Sequence, residues 1–155
     1  MVFGLQSKAQ SQANIALYFG YRGGMAYINP TSTGKSMELL LTFEHAGLGV
    51  AVNKLYTLSF ISSEPQLKLL YGFGGFTRLS TDALYLFDYE NVYWDKRFWG
   101  IGANGIIALD YAFTNDKLHL GLSLRPAIEF GVGDYRHWPG TGYLYISFPI
   151  SELKF

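Results

Sequence analysis

The chain has 155 residues, 12 basic and 12 acidic, for a net charge of zero. Charged residues make up only 15% of it, against about 25% in an ordinary soluble domain, while apolar residues reach 49% and aromatics 17%. The length suits one domain. The dispersed basic residues leave no nucleic-acid footprint, and the absence of cysteine excludes disulfides and thiolate metal sites.

Residues 1–10 resemble a cut-down export signal. Val2-Phe3-Gly4-Leu5 is a short apolar stretch, and Ser7-Lys8-Ala9 offers small residues around a cleavage point. The basic start and the apolar run of about 7–15 residues of a full signal peptide are missing. These ten residues are therefore set apart from a single domain at 11–155.

The pattern predicts strands in chain order. Strand one runs near Asn14–Arg22, with Ile15, Leu17, Phe19 and Tyr21 on one face. Gly23-Gly24 reads as a break, and Met25–Gly34, with Asn29-Pro30, as a long loop. Strand two covers about Lys35–Glu44, with Met37, Leu39, Leu41 and Phe43 opposite Glu38, Leu40, Thr42 and Glu44. Strand three covers about Leu48–Phe60, and strand four about Gln66–Phe76, where Gly72 and Gly74 leave room on the inner face. Strand five, about Ala83–Tyr89, is the weakest, because both of its faces are apolar.

Strands six and seven carry the clearest pattern. From Ile101 to Phe113 the odd positions are mostly bulky and apolar. From Leu118 to Phe130 the even positions are Leu118, Leu120, Leu122, Leu124, Pro126, Ile128 and Phe130. The alternate row holds Asp110, His119, Ser123, Arg125 and Glu129 among glycine and alanine. A period of two with unlike faces marks strands between two solvents. With no run of about 18 apolar residues for a spanning helix, the pattern predicts a closed membrane sheet with lipid outside and a narrow polar interior. Strand eight, about Thr141–Ile150, turns Leu144, Ile146, Phe148 and Ile150 outward and Tyr143, Tyr145 and Ser147 inward.

The fold expected is thus an all-β, eight-stranded antiparallel up-and-down transmembrane barrel. Its connections alternate: His45–Gly47, Thr77–Asp82 and Asn115–Asp116 are short, while Met25–Gly34, Ser59–Pro65, Glu90–Phe98 and Val132–Gly140 are longer. That asymmetry suits short periplasmic turns and long external loops, with both chain ends periplasmic. Pairing Thr114 with Lys117 sets Asp110 opposite Gly121 and Ala108 opposite Ser123, so polar rows meet. Aromatics near strand ends suggest two interfacial girdles, Phe43, Tyr111 and Phe113 at the short turns and Tyr21, Tyr56, Phe60 and Phe130 at the long loops.

Four stretches carry a resemblance: Gly20-Tyr21-Arg22-Gly23-Gly24, Tyr71 to Phe76, Gly105 to Phe113, and Leu124 to Glu129. In order and spacing they resemble an uncharacterised family of small outer-membrane β-barrels of Bacteroidota, similar in architecture to OmpA/OmpX-like eight-stranded barrels. The resemblance implies a fold and a bacterial outer-membrane location, and carries over no activity. Many such barrels end on an aromatic residue. Phe155 suits that, yet Leu153, Ser151 and Pro149 make a poor apolar row, so either Pro149 interrupts the last strand or residues 151–155 form a tail.

The predicted interior carries Arg22, Glu38, Glu44, Lys68, Asp110, His119, Arg125 and Glu129. An eight-stranded interior is just wide enough for side chains, so these charges are read as a paired lumen network; the functional alternative is an ion path or a buried catalytic cluster. His119 and Ser123 are not a nucleophile–base pair, because four residues along a strand span about 13 Å. The aromatic and charged residues Trp94, Arg97, Trp99, Tyr135, Arg136 and Trp138 are candidate external contacts to lipopolysaccharide or another envelope protein. Three scattered histidines argue against a metal site, and no cofactor motif is present.

The role expected is that of a plugged structural or accessory barrel. One rival is a lipid A-modifying enzyme, although the chain has no His-x-Ser pair on a strand; its catalytic group would draw on His137, Asp95, Ser62 and Ser63. The other is a soluble lipocalin-like carrier with the faces reversed. Its exterior would then be mostly glycine, alanine and serine, a poor aqueous surface.

Overall fold

Alternation of bulky apolar and small or polar residues obliges each strand to separate two environments, and the chain does so by closing on itself. The computed structural model describes residues 12–20, 22–44, 47–59, 61, 63–80, 98–113, 117–132 and 140–152. Eight strands follow in order: β1 (Asn14–Gly20), β2 (Gly23–Ser32), β3 (Lys35–Glu44), β4 (Gly47–Leu58), β5 (Leu67–Ser80), β6 (Phe98–Ala112), β7 (His119–Val132) and β8 (Gly140–Pro149). Each pairs antiparallel with the next, and β1 pairs with β8, giving a closed barrel without an edge.

The strand count holds, but the inventory differs. The segment read as a break and loop at residues 23–32 is β2, paired with both β1 and β3. Gly24 is compatible with the sheet because its lumen side is crowded: a Cβ there would lie 2.9 Å from the Leu41 carbonyl oxygen and 3.2 Å from Leu40 Cδ1. Pro30 is tolerated because the pairing with β1 ends at Ile28, so only β3 flanks it, and the register shifts between Pro30 and Ser32. Gly34, at φ 68°, completes a two-residue turn into β3. The predicted strand at 83–89 lies outside the described residues. The barrel closes without it, since β5 pairs directly with β6 from Leu67–Tyr111 to Ser80–Phe98.

Gaining β2 reverses the direction assigned to the next three strands. Asn14 and Pro149 share one rim, here called the terminal rim, together with the turn at 33–34 and the connections at 59–66 and 113–118. The strand ends that flank residues 21–22, 45–46, 81–97 and 133–139 lie at the far rim. The long 59–66 connection therefore stands at the end expected to carry short turns. The girdles change with it. Phe19, Phe43, Trp99 and Phe130 are outward near the far rim, and Tyr56, Tyr71, Tyr111 and Phe113 near the terminal rim. Tyr56 stacks on Tyr71 at 5.2 Å and Tyr111 meets Phe113 edge-on at 5.1 Å. Tyr21 and Phe60 lie outside the described residues.

The facing follows the predicted parity in every matched strand. In β7, Leu122, Leu124 and Phe130 are 61, 64 and 68% exposed, whereas His119, Ser123, Arg125 and Glu129 are buried. Register agrees as well: Asp110 is opposite Gly121 and Ala108 opposite Ser123. The last strand ends at Pro149 in a short 3-10 turn over Ile150–Glu152, tied back by Ile150 N–H to the Ala13 carbonyl at 2.9 Å. Residues 1–10 and Phe155 lie outside the described residues. Apart from Lys35 at a strand start, Lys54 is the one charged residue among the described outward strand positions, and its ammonium lies 5.7 Å from the Tyr56 ring. Its long stem lets the charge reach toward the terminal rim while its methylenes stay in the apolar band.

Arginine on the apolar band costs about 2–4 kcal/mol at mid-bilayer. Leu122→Arg is therefore expected to lower the folded fraction in lipid vesicles sharply, while Leu122→Phe leaves it near wild type. The heat-modifiable shift in gel migration measures both.

Candidate functional site

The lumen is built in tiers, each assembled from small-residue strands that bring polar side chains inward. At the waist, Glu38 on β3 and Arg125 on β7 meet from opposite sides of the ring, four strands apart. Arg125 Nη1 donates to Glu38 Oε2 and Nη2 to Oε1, both at 2.8 Å, the planar fork that guanidinium and carboxylate favour. Tyr18 OH donates to Glu38 Oε1 and Asn53 Nδ2 to Oε2, each at 2.6 Å, and Tyr18 OH accepts from Arg125 Nη2 at 2.9 Å. The guanidinium also stands over the Tyr18 ring at 4.7 Å. Glu38 and Arg125 are 1 and 5% exposed; each is neutralised by the other and hydrogen-bonded beyond that, which offsets the cost of removing two ions from water.

Nearer the terminal rim, Asp110 on β6 accepts from Tyr145 OH through Oδ1 at 2.7 Å and lies 2.7 Å from His119 Nδ1 through Oδ2. Tyr145 reaches Asp110 because Gly121 is its register partner and has no side chain. A Cβ at Gly121 would run into the Tyr145 ring and its hydroxyl. Nearer the far rim, Arg78 on β5 and Glu129 on β7 make a two-pronged pair at 2.5 Å through Nε and Nη2. Cavities separate these tiers. One, of about 300 Å³, occupies the terminal half of the lumen; the other, of about 60 Å³, lies on the far side of the waist.

Of the eight lumen residues singled out from sequence, the structure brings Glu38 together with Arg125, and Asp110 with His119. Glu129 pairs instead with Arg78. Lys68 lines the larger cavity and Arg22 the smaller. The Glu44 side chain lies outside the described residues. Sequence reasoning missed Arg78, Tyr18 and Asn53. Arg78 was hidden because strand four was ended at Phe76; extending its parity through Gly72 and Gly74 would have turned Arg78 inward. Tyr18 and Asn53 already had inward parity, and only the absence of charge kept them off the list.

Trp99, taken for a loop residue, belongs to β6. It is outward at the far rim, and its Nε1 donates to Thr77 Oγ1 at 3.0 Å. Trp94, Arg97, Tyr135, Arg136 and Trp138 lie outside the described residues. So do His137, Asp95 and Ser62 of the suggested catalytic group. Ser63, the one described residue of that group, belongs to the 59–66 connection at the terminal rim. Ser147, which sequence reasoning did not weigh beside a histidine, is the register partner of His119 on β8. His119 Nε2 has no hydrogen-bond partner, so no serine is engaged by it. Among the described residues no group of three His, Asp or Glu is placed to hold a metal ion.

Two variants test this arrangement. Glu38→Ala strands a buried guanidinium and is expected to cost about 3–5 kcal/mol, and pairing it with Arg125→Met should recover a large part; urea unfolding in detergent measures both. Gly121→Ala forces the Tyr145 ring off Asp110, with an expected cost of about 1–3 kcal/mol. In a Tyr145→Ala background that cost should shrink, as a double-mutant cycle will show.

No family model matches the chain, and no curated protein matches it. Among solved structures the chain is similar to the crystal structure of the N-terminal β-barrel domain of Pseudomonas aeruginosa OprF. The two are 17% identical at a TM-score of 0.66, over 91% of this chain and 98% of that one. At that identity the likeness is one of fold: a closed eight-stranded antiparallel barrel resembling the OmpA-type barrel domain.

Proposed function

We propose that the chain is a small integral protein of the bacterial outer membrane, with a closed lumen and a structural or accessory role. The observation that carries this reading is the division of the wall. Outside lies a continuous apolar band with aromatics at both rims; inside, the waist is crossed by the Glu38–Arg125 pair. A soluble carrier would need the reverse, an apolar interior under a polar surface. A diffusion pore would need a wider ring, since eight strands enclose only enough space for side chains. The order of the four sequence motifs supports a place among the Bacteroidota barrels.

The far rim carries the connections at 81–97 and 133–139, whose aromatic and basic residues suit contact with lipopolysaccharide phosphates or a partner protein in the envelope. On this reading the far rim faces outward and the terminal rim the periplasm, in line with the longer external loops of such barrels. No arrangement among the described residues favours an acyl-transfer or hydrolytic activity.

Refolded into phospholipid vesicles, the protein is expected to resist extraction by alkaline carbonate and to leave a trapped ion gradient intact. Protein that stays monomeric in plain buffer, or vesicles that leak a small sugar, would contradict the proposal.

A further inference from the structure

The lumen is filled unevenly, and the larger void has a one-sided chemistry. About 300 Å³ is the lower end of the volume that small-molecule pockets enclose, and about ten times the share of one water. The cavity reaches the terminal rim, because Gln12, Ser32, Gly34 and Ser59 form part of its wall. Its inner end is closed by Tyr18 and Arg125 of the waist.

The carboxylates there are already engaged. Both oxygens of Asp110 are taken, by His119 and Tyr145, and both oxygens of Glu38 behind the waist are taken as well. Donors and cations are not. Lys68 stands in the wall without an ion pair to any described residue. Four wall residues, each at least nine-tenths buried, keep a polar atom without a partner: Asn14 Oδ1, His119 Nε2, Ser123 Oγ and Arg125 Nε. Arg125 Nε is a donor, and the Ser123 hydroxyl rotates to donate. His119 Nε2 accepts, since Nδ1 faces the Asp110 carboxylate. The Asn14 amide can present either end. An ammonium group without an ion pair and unspent donors, facing carboxylates that are fully occupied, make a host for an anion.

We infer that this cavity binds a small solute carrying a carboxylate or phosphate group. The solute enters at the terminal rim past Lys68, and its oxyanion is received by Ser123 and Arg125 Nε. This goes beyond the structural role proposed above. That orientation would place the mouth in the periplasm, but binding itself requires only the folded barrel.

The test uses the full chain folded in detergent micelles and titrated, at constant ionic strength, with inorganic phosphate, succinate or ethanolammonium. The side-chain nitrogen resonances of His119, assigned with His119→Gln, report occupancy. Saturable shifts with phosphate or succinate and none with ethanolammonium are expected, and the stronger of the two anions identifies the ligand class. Lys68→Gln should weaken binding about tenfold, the effect of losing one charge-assisted contact, and Ser123→Ala should weaken it as well. Lys54→Gln removes the same charge from the outer face and should leave affinity unchanged. Non-saturating shifts with every salt, or equal losses in Lys68→Gln and Lys54→Gln, would show a cavity holding water only and overturn the inference. Because the assay is done in micelles, its failure leaves the membrane reading standing.

Discussion

The diameter of an eight-stranded ring governs this molecule. Once the sheet closes, the interior admits side chains and little else, so no ion inside can rely on bulk water. At the waist the counterpart must be found across the lumen, and the ring is narrow enough for that. Glu38 and Arg125 span it from opposite strands, and Tyr18 and Asn53 complete the carboxylate's hydrogen bonds. The same narrowness explains the small residues on the inner face. Gly121 makes room for the Tyr145 ring and Gly102 for Phe76, so the glycines are the sockets into which the larger lumen groups fit.

The two faces were legible in the sequence because a strand has a period of two and the solvents on its sides differ completely. Leu118 to Phe130 alternate with His119 to Glu129 with no exception, and the structure turns each row as that pattern requires. Closure and strand number were also legible, but one strand was found in the wrong place. Residues 23–32 carry glycine and proline, which in an ordinary sheet signal a break. In a barrel, a glycine beneath crowded lumen side chains and a proline beyond the reach of one neighbouring strand are both compatible with pairing. The apolar segment 83–89, read as a strand, lies outside the described residues, and the ring closes without it.

Reading the tiers was harder than reading the faces. Parity says which residues point inward, but height along the axis and partner across the ring depend on tilt and stagger, to which a single strand is blind. Asp110 and His119 come from neighbouring strands, nine residues apart, and their meeting follows from the β6–β7 register. Glu38 and Arg125 are 87 residues apart, and only the closed ring shows that they meet. Arg78, the partner of Glu129, was missed because β5 runs on to Ser80, past the Phe76 at which the sequence reading ended it.

The Glu38–Arg125 separation also bears on how the barrel is made. Glu38 lies on the third strand to be synthesised and its counter-ion on the seventh. A sheet of four or five strands entering the bilayer would thus carry a carboxylate with nothing to neutralise it, at a cost of several kcal/mol. Stepwise insertion of single hairpins is opposed by that charge. On the membrane reading proposed above, crossing as a nearly complete, curled sheet, with the acid still wet until the arginine arrives, is the route that this pairing favours.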